Sequence, residues 1–166
     1  LPHGNTAGLV VRYRGDGSGG RPILFLAHMD VVPAHRSDWE REPYRLIEEN
    51  GFFYGRGSID NKGGVAQLTS TFLTLRAEGF RPTRDLIIWF SGDEETSGET
   101  TQELLAQHRD LLGNAEFKVG YFRDPQATGV HHLKQGPVAN CKCVTPAWSR
   151  QKLGDFRPRQ HLWELL

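Results

Sequence analysis

DLIIWFSGDEETSG, residues 85–98, joins an unbroken apolar run to three successive acids. The run LIIWF is too short for a helix, is rich in β-branched and aromatic side chains and does not alternate with polar residues. It therefore reads as a strand covered on both faces, the kind that occupies the centre of a sheet flanked by helices. The acids Asp93, Glu94 and Glu95 then fall just past that strand's end, where the side chains of an open α/β sheet converge on a crevice. Three adjacent carboxylates repel one another unless a cation or solvent compensates, so the cluster is either a cation site or a solvated loop.

Toward the N-terminus, Val65, Leu68, Phe72 and Leu75 recur at steps of three and four, and Gly79 follows them, which predicts a helix over residues 63–78. ILFLA (23–27) is a second apolar run, read as a strand buried on both faces. LVVRYR (9–14) alternates as a half-buried strand and GDGSGG (15–20) supplies the turn between them. The aromatic triplet in GFFYGRGS (51–58) predicts a short strand running into a glycine-rich bend, with the polar segment around it at the edge of the sheet. On the other side, Ser97 or Thr100 is placed to cap a helix over 102–108, and residues 117–122 suit one more strand. Apolar strands alternating with helices predict an α/β fold, a three-layer α/β/α sandwich around a mostly parallel or mixed sheet.

The 166 residues amount to one domain. Residues 1–122 carry the periodic patterns. Residues 123–166 sustain none and shift from an acidic to a basic balance, so they are expected to be irregular, as in a disordered or frame-shifted tail. The formal charge of zero gives no footprint for nucleic acid or anionic lipid. No run approaches the roughly 18 apolar residues of a membrane span. Two cysteines are too few for a disulfide framework, which leaves the cytoplasm and, after loss of a leader, an exported compartment equally open.

Two further clusters lie at predicted strand or helix ends. In AHMDVVP (27–33), His28 and Asp30 are two positions apart and so point the same way from an extended backbone. A carboxylate there fixes the imidazole tautomer that binds metal, although a structural histidine has the same local signature. In YGRGSIDNKGG (54–64), Asp60 sits in a bend just before the helix, either as its cap or as a ligand. His28, Asp60 and Glu95 together offer nitrogen and oxygen donors suited to zinc, cobalt or manganese, and Glu94 is then free to move a proton. His131 with His132, and Cys141 with Cys143, lack the spacing of a closed zinc site. Arg56 reads equally as a positioning group or a solvated one.

The three segments AHMDVVP, YGRGSIDNKGG and SGDEETSG, in that order, resemble the dinuclear-zinc, M20-type peptidases and deacylases. That family includes carboxypeptidases, aminoacylases, acetylornithine deacetylase and succinyl-diaminopimelate desuccinylase. The resemblance runs from about residue 9 to 117 and implies a zinc-exopeptidase-like fold that is incomplete here. It also implies that His28 binds one metal, Asp60 bridges two, Glu95 binds the other, Glu94 is the general base and Asp30 supports His28, with a cis bond between Asp60 and Asn61. The implied cofactor is a pair of Zn2+ ions, replaceable by Co2+ or Mn2+. The implied reaction is hydrolysis of a peptide or N-acyl amino acid by a metal-activated water.

Three features depart from the pattern. Asn61 stands where a second acid is usual, Asp124 lacks the context of the further acidic ligand, and the inserted dimerisation domain and late histidine are not found. Absent or impaired activity is therefore expected of this chain as it stands. The competing reading is a non-catalytic α/β remnant that binds partners or itself through exposed edges. A phosphate-binding reading of GRGSIDNKGG fails on spacing.

Overall fold

In the computed structural model, which describes residues 1–120 and the strand at 142–143, the apolar run becomes the most deeply covered strand. The chain forms strands β1 (Pro2–His3), β2 (Thr6–Ala7), β3 (Leu9–Tyr13) and β4 (Ile23–His28), then the pair β5 (Ile47–Glu49) and β6 (Phe52–Tyr54). Helix α1 (Lys62–Ala77), strand β7 (Leu86–Ser91), helix α2 (Glu99–Gln107), strand β8 (Phe117–Gly120) and strand β9 (Lys142–Cys143) complete the order. The main sheet runs β3-β7-β4-β8-β9, parallel throughout except for the antiparallel edge strand β3.

Side-chain alternation along β7 divides the core in two. Ile87 and Trp89 point to one face, where they pack with Leu24 of β4, Leu104 of α2 and Leu112. Leu86, Ile88 and Phe90 point to the other and meet Phe72 of α1, with Val65, Leu68 and Leu75 against them. The Phe72 ring also meets Tyr13 and Phe25 in T-shaped pairs, a favoured aromatic geometry. One helix on each face makes the three-layer α/β sandwich with a mixed central sheet that the patterning predicts.

The two crossovers explain this arrangement. The chain leaves β4 through α1 to reach β7, then returns through α2 across β4 to β8 on the far side. Reversing the direction of winding places α1 and α2 on opposite faces and opens a crevice at the C-terminal ends of β4, β7 and β8.

Several expectations need correction. Residues 51–58 are not attached to the main sheet's edge. Their aromatic triplet pairs with β5, which lacks a strand-like pattern of its own, in a separate antiparallel hairpin. Helix α2 begins at Glu99, three residues ahead of the expected 102, because its first turn is fastened from outside the helix. Strand β4 is buried at Leu24, Ala27 and His28 and half-buried between them, so β7 rather than β4 is the fully covered strand. The strand expected over 117–122 is described to Gly120, and most of residues 123–166 lie outside the described residues. Within that segment, the backbone at Lys142–Cys143 pairs with Phe117 and Lys118. Among the described residues no helix is long and apolar enough to cross a membrane.

Candidate metal centre

The register of β4 against β7 pairs His28 with Ser91, so both strands end at the same level. The Met29 N–H donates to the Ser91 carbonyl at 2.8 Å and closes the sheet there. Beyond this point the two chains separate, and His28, only 6% exposed, lies at the floor of the opening. Its Nδ1 lies 3.1 Å from the Asp30 backbone carbonyl and 3.3 Å from Asp30 Oδ1. Its Nε2 faces the open side, 3.0 Å from Asp60 Oδ1 and 3.7 Å from Glu94 Oε2.

Asp30 does more than face the imidazole. Its two carboxylate oxygens accept the N–H groups of Glu94 at 3.1 Å and Glu95 at 2.8 Å. One side chain at the end of β4 thereby orients both the histidine and the acidic loop that follows β7.

Asp60 arrives from the bend ahead of α1. Gly57 takes φ +79°, a conformation glycine adopts without steric cost, and its carbonyl accepts the Lys62 N–H at 2.9 Å. The Asp60–Asn61 peptide is cis. The Asp60 carboxylate reaches His28 Nε2, whereas residue 61 stands at the helix cap and makes no side-chain capping bond. Lys62 Nζ donates to the Met29 carbonyl, tying the start of α1 to the segment after β4.

The electrostatics follow from this enclosure. Burial alone lowers the pKa of His28, but Asp60, Glu94 and Asp30 outweigh it and hold the ring protonated above its ordinary range. With oxygen acceptors at both nitrogens, the Nε2 proton points to Asp60 and Glu94, where a cation would otherwise be held. Proton and cation compete for that nitrogen, so cation affinity falls as the pH drops.

Asp93 has a different task from its two neighbours. It is 3% exposed, and its Oδ2 accepts the Thr100 N–H at 3.0 Å and the Ser97 hydroxyl at 2.9 Å, while Oδ1 accepts the Thr100 hydroxyl. Burial opposes ionisation, yet these donors prevail and hold the carboxyl below its ordinary range. Asp93 satisfies a free N–H of the first turn of α2 and so caps the helix from outside it. Ser97, one of the expected caps, accepts the Glu99 N–H at 3.4 Å, and Thr100 is itself capped. Along the sequence Asp93 groups with Glu94 and Glu95. The signal available was a short acid ahead of a helix start.

His28, Glu94 and Glu95 each offer a ligand atom, all within 4.8 Å of one another. One imidazole nitrogen and two carboxylate oxygens suit a borderline cation such as Zn2+, whose bonds to such donors run about 2.0–2.2 Å. Around a tetrahedral ion two such donors lie roughly 3.4 Å apart, so side-chain closure of up to about 1.4 Å assembles the set. The residues present therefore fit a divalent cation. Beside them an apolar cavity of about 270 Å³ is lined by Leu24, Leu26, Trp89 and Leu104, with His28 and Glu94 at its polar end. Asn61 also borders it, 1% exposed, with its side-chain oxygen unpartnered. Sequence reading noted Asn61 only as a departure.

Among the described residues this is one cluster, and the two-ion site that the motifs imply is not assembled in full. Asp124, His131, His132, Cys141 and Cys143 lie outside the described residues. Arg56 stacks over Trp39 with its guanidinium 5.3 Å from the ring centre.

Comparison with known proteins agrees with this arrangement. The sequence profile of Peptidase family M20/M25/M40 matches residues 24–146. The chain belongs to this family. Among M20 relatives, the mouse (Mus musculus) N-fatty-acyl-amino acid synthase/hydrolase PM20D1 is 42% identical over 79 residues, covering 48% of this chain and 16% of that protein. Probable carboxypeptidase S-like 1 of Dictyostelium discoideum is 34% identical over 114 residues, covering 68% of this chain and 23% of its own length. The crystal structure of human carnosine dipeptidase 1 superposes with a TM-score of 0.61 at 29% identity, over 68% of this chain and 24% of that one. The chain thus spans under a quarter of the length of each of these proteins.

In this M20 chain the hub role of Asp30 is directly testable. Asp30→Ala leaves two loop N–H groups without their acceptor and removes the carboxylate beside His28 Nδ1, which keeps only the backbone carbonyl of residue 30. Cation affinity is expected to fall about 10–100-fold, as when outer partners of metal ligands are removed. Zn2+ titration of a variant with unchanged circular dichroism checks this, and affinity within twofold of the parent contradicts it.

Proposed function

We propose that this domain is the cation-binding part of a metal-dependent hydrolase that cleaves peptide or N-acyl amide bonds of amino acids. The observation that carries the reading is the meeting of His28 Nε2 with Asp60 and Glu94 from three separate chain segments. In the finer reading His28, Asp60 and Glu95 would hold a pair of Zn2+ ions, replaceable by Co2+ or Mn2+. A cation held there supplies a Lewis acid that polarises the substrate carbonyl and acidifies a water.

The chain's own residues do the rest. Asp30 holds the His28 ring and the loop in place. Glu94, with 54% of its side chain exposed, stands on the open side of the site. There it accepts the proton that the attacking water loses as its oxygen bonds to the carbonyl carbon. It returns that proton to the amide nitrogen as the C–N bond breaks.

The substrate class is supported by the relatives' names. One is an N-fatty-acyl-amino acid hydrolase and another a dipeptidase. An amino acid joined through an amide is common to both. Residues 1–122 are proposed as the catalytic-domain portion. Measuring hydrolysis of N-acyl amino acids and dipeptides after chelation, and again after Zn2+ is restored, tests the reading. Turnover well below that of a complete enzyme and dependent on zinc is expected, and turnover indifferent to chelation contradicts the reading.

A second reading draws on the exposed apolar residues around the β5–β6 hairpin. Tyr44, Leu46, Phe52 and Ile59 are each more than 60% exposed. Such a patch favours association, of this chain with itself or with a partner. Sedimentation as a dispersed monomer counts against it.

A further inference from the structure

The N-terminal hairpin of β1 and β2 touches the domain on both sides of the loop that carries Glu94 and Glu95. At the loop's entrance, Thr6 Oγ1 donates to the Gly92 carbonyl at 2.8 Å. A Cβ on Gly92 would collide with the Ala7 carbonyl and the Thr6 hydroxyl, so the hairpin backbone lies directly on the first turn of the loop. Beyond the loop's exit, His3 Nδ1 lies 2.5 Å from Glu103 Oε2 and its Nε2 lies 3.1 Å from Glu99 Oε2. Those two glutamates are four residues apart on α2 and share one face of it.

The chemistry of the second anchor is specific. Each nitrogen of His3 faces a carboxylate, and only the doubly protonated ring donates to both. Hydrogen bonds donated to Glu103 first and Glu99 second raise its pKa, so the bridging form persists above the ordinary range of histidine. An exposed ion pair contributes little to global stability. Its effect here is local, because residues 92 and 99 bracket a loop whose position is otherwise set by Asp30 from below and Asp93 from within.

We propose that His3 and Thr6 are positioning residues for the cation site, the hairpin acting as a strap that fixes the 92–99 loop at both ends and keeps Glu94 and Glu95 over His28. The consequence for cation capture rests on the function proposed above, whereas the strap itself rests on the hairpin contacts alone. Hydrogen exchange and Co2+ titration separate the two.

The test uses the whole chain with His3→Ala and Thr6→Val combined. The amide protons of Glu94 and Glu95, protected by Asp30, are expected to exchange at least about fivefold faster while those of β7 keep their rates. Co2+ affinity is expected to drop about tenfold, the low end of the range for outer partners of a metal site, with a changed visible absorption band. Restoring the charge with His3→Lys in place of His3→Ala should recover part of both effects, the Thr6 anchor still being absent. Arg84→Ala, which breaks an ion pair with Glu116 away from the loop, should produce neither.

If the double variant fails to fold, His3→Gln alone carries the same test. Unchanged exchange at Glu94 and Glu95 overturns the strap, and so does faster exchange spread equally over β7. If the parent chain takes up no Co2+, the function proposed above fails, and the exchange rates alone decide the strap.

Discussion

Glu94→Gln is expected to lower hydrolysis by the cation-loaded protein about 10²–10⁴-fold, the usual contribution of a positioned proton-transfer group. Affinity for Zn2+ should stay within a few-fold of the parent. The argument is one of shape and charge. Glutamine keeps the length of glutamate and an oxygen that can face His28, but it has no carboxylate to take a proton from water. Glu94 Oε2 lies 3.7 Å from His28 Nε2, farther than Asp60 at 3.0 Å, so Asp60 rather than Glu94 makes the closer contact with that nitrogen. Steady-state kinetics with a dipeptide and an N-acyl amino acid check the rate, and calorimetric titration checks the affinity. Equal rates for parent and variant would remove Glu94 from the mechanism. Equal loss of rate and affinity would instead make it a ligand.

Asp93→Ala is expected to cost about 2–4 kcal/mol of stability, because a buried acceptor is removed from several donors at once. The Thr100 N–H and hydroxyl and the Ser97 hydroxyl all lose their partner, and α2 loses its outside cap. Asp93→Asn keeps the shape and one acceptor oxygen and should cost less. The pH dependence has a definite sign. The folded-state pKa of Asp93 is lowered, so its stabilisation is fully present above the unfolded carboxyl value of about 3.9 and is lost as pH falls through the folded value. Urea denaturation at neutral pH should therefore separate the parent from Asp93→Asn, and the gap should narrow in acid. A cost below about 0.5 kcal/mol at neutral pH would mean that the first turn of α2 does not depend on this carboxylate.

These two neighbours show why part of the molecule was legible in the sequence and part was not. Period carried the fold: Val65, Leu68, Phe72 and Leu75 share one face of α1, as their spacing predicts, and that face packs on the sheet, while the apolar run at 86–90 is the covered strand. Residue type and position at strand ends brought out His28, Asp30, Asp60, Glu94 and Glu95, which the fold does bring together.

What escaped has no periodic trace. Strands β1 and β2 are two residues each, too short for alternation to register, and β5 is visible only through its pairing with β6. Strand β3 is followed in the chain by β4 yet pairs with β7, a choice made by tertiary packing rather than by local sequence. The division of labour between Asp93 and Glu94 is likewise invisible along the chain. It arises because the loop turns one carboxylate inward to α2 and the next outward to His28.

The measurement that bears most directly on the cation site is calorimetric titration of the metal-free chain with Zn2+, run alongside His28→Ala and followed by thermal unfolding. The parent should bind with release of protons. At free Zn2+ 100 times the dissociation constant it should gain about 2.7 kcal/mol of stability. His28→Ala should lose both the binding and the gain. A parent chain that shows neither heat nor stabilisation, or a His28→Ala variant that binds as tightly as the parent, would contradict the assignment of His28, Asp60 and Glu95 to one cation site beside Glu94.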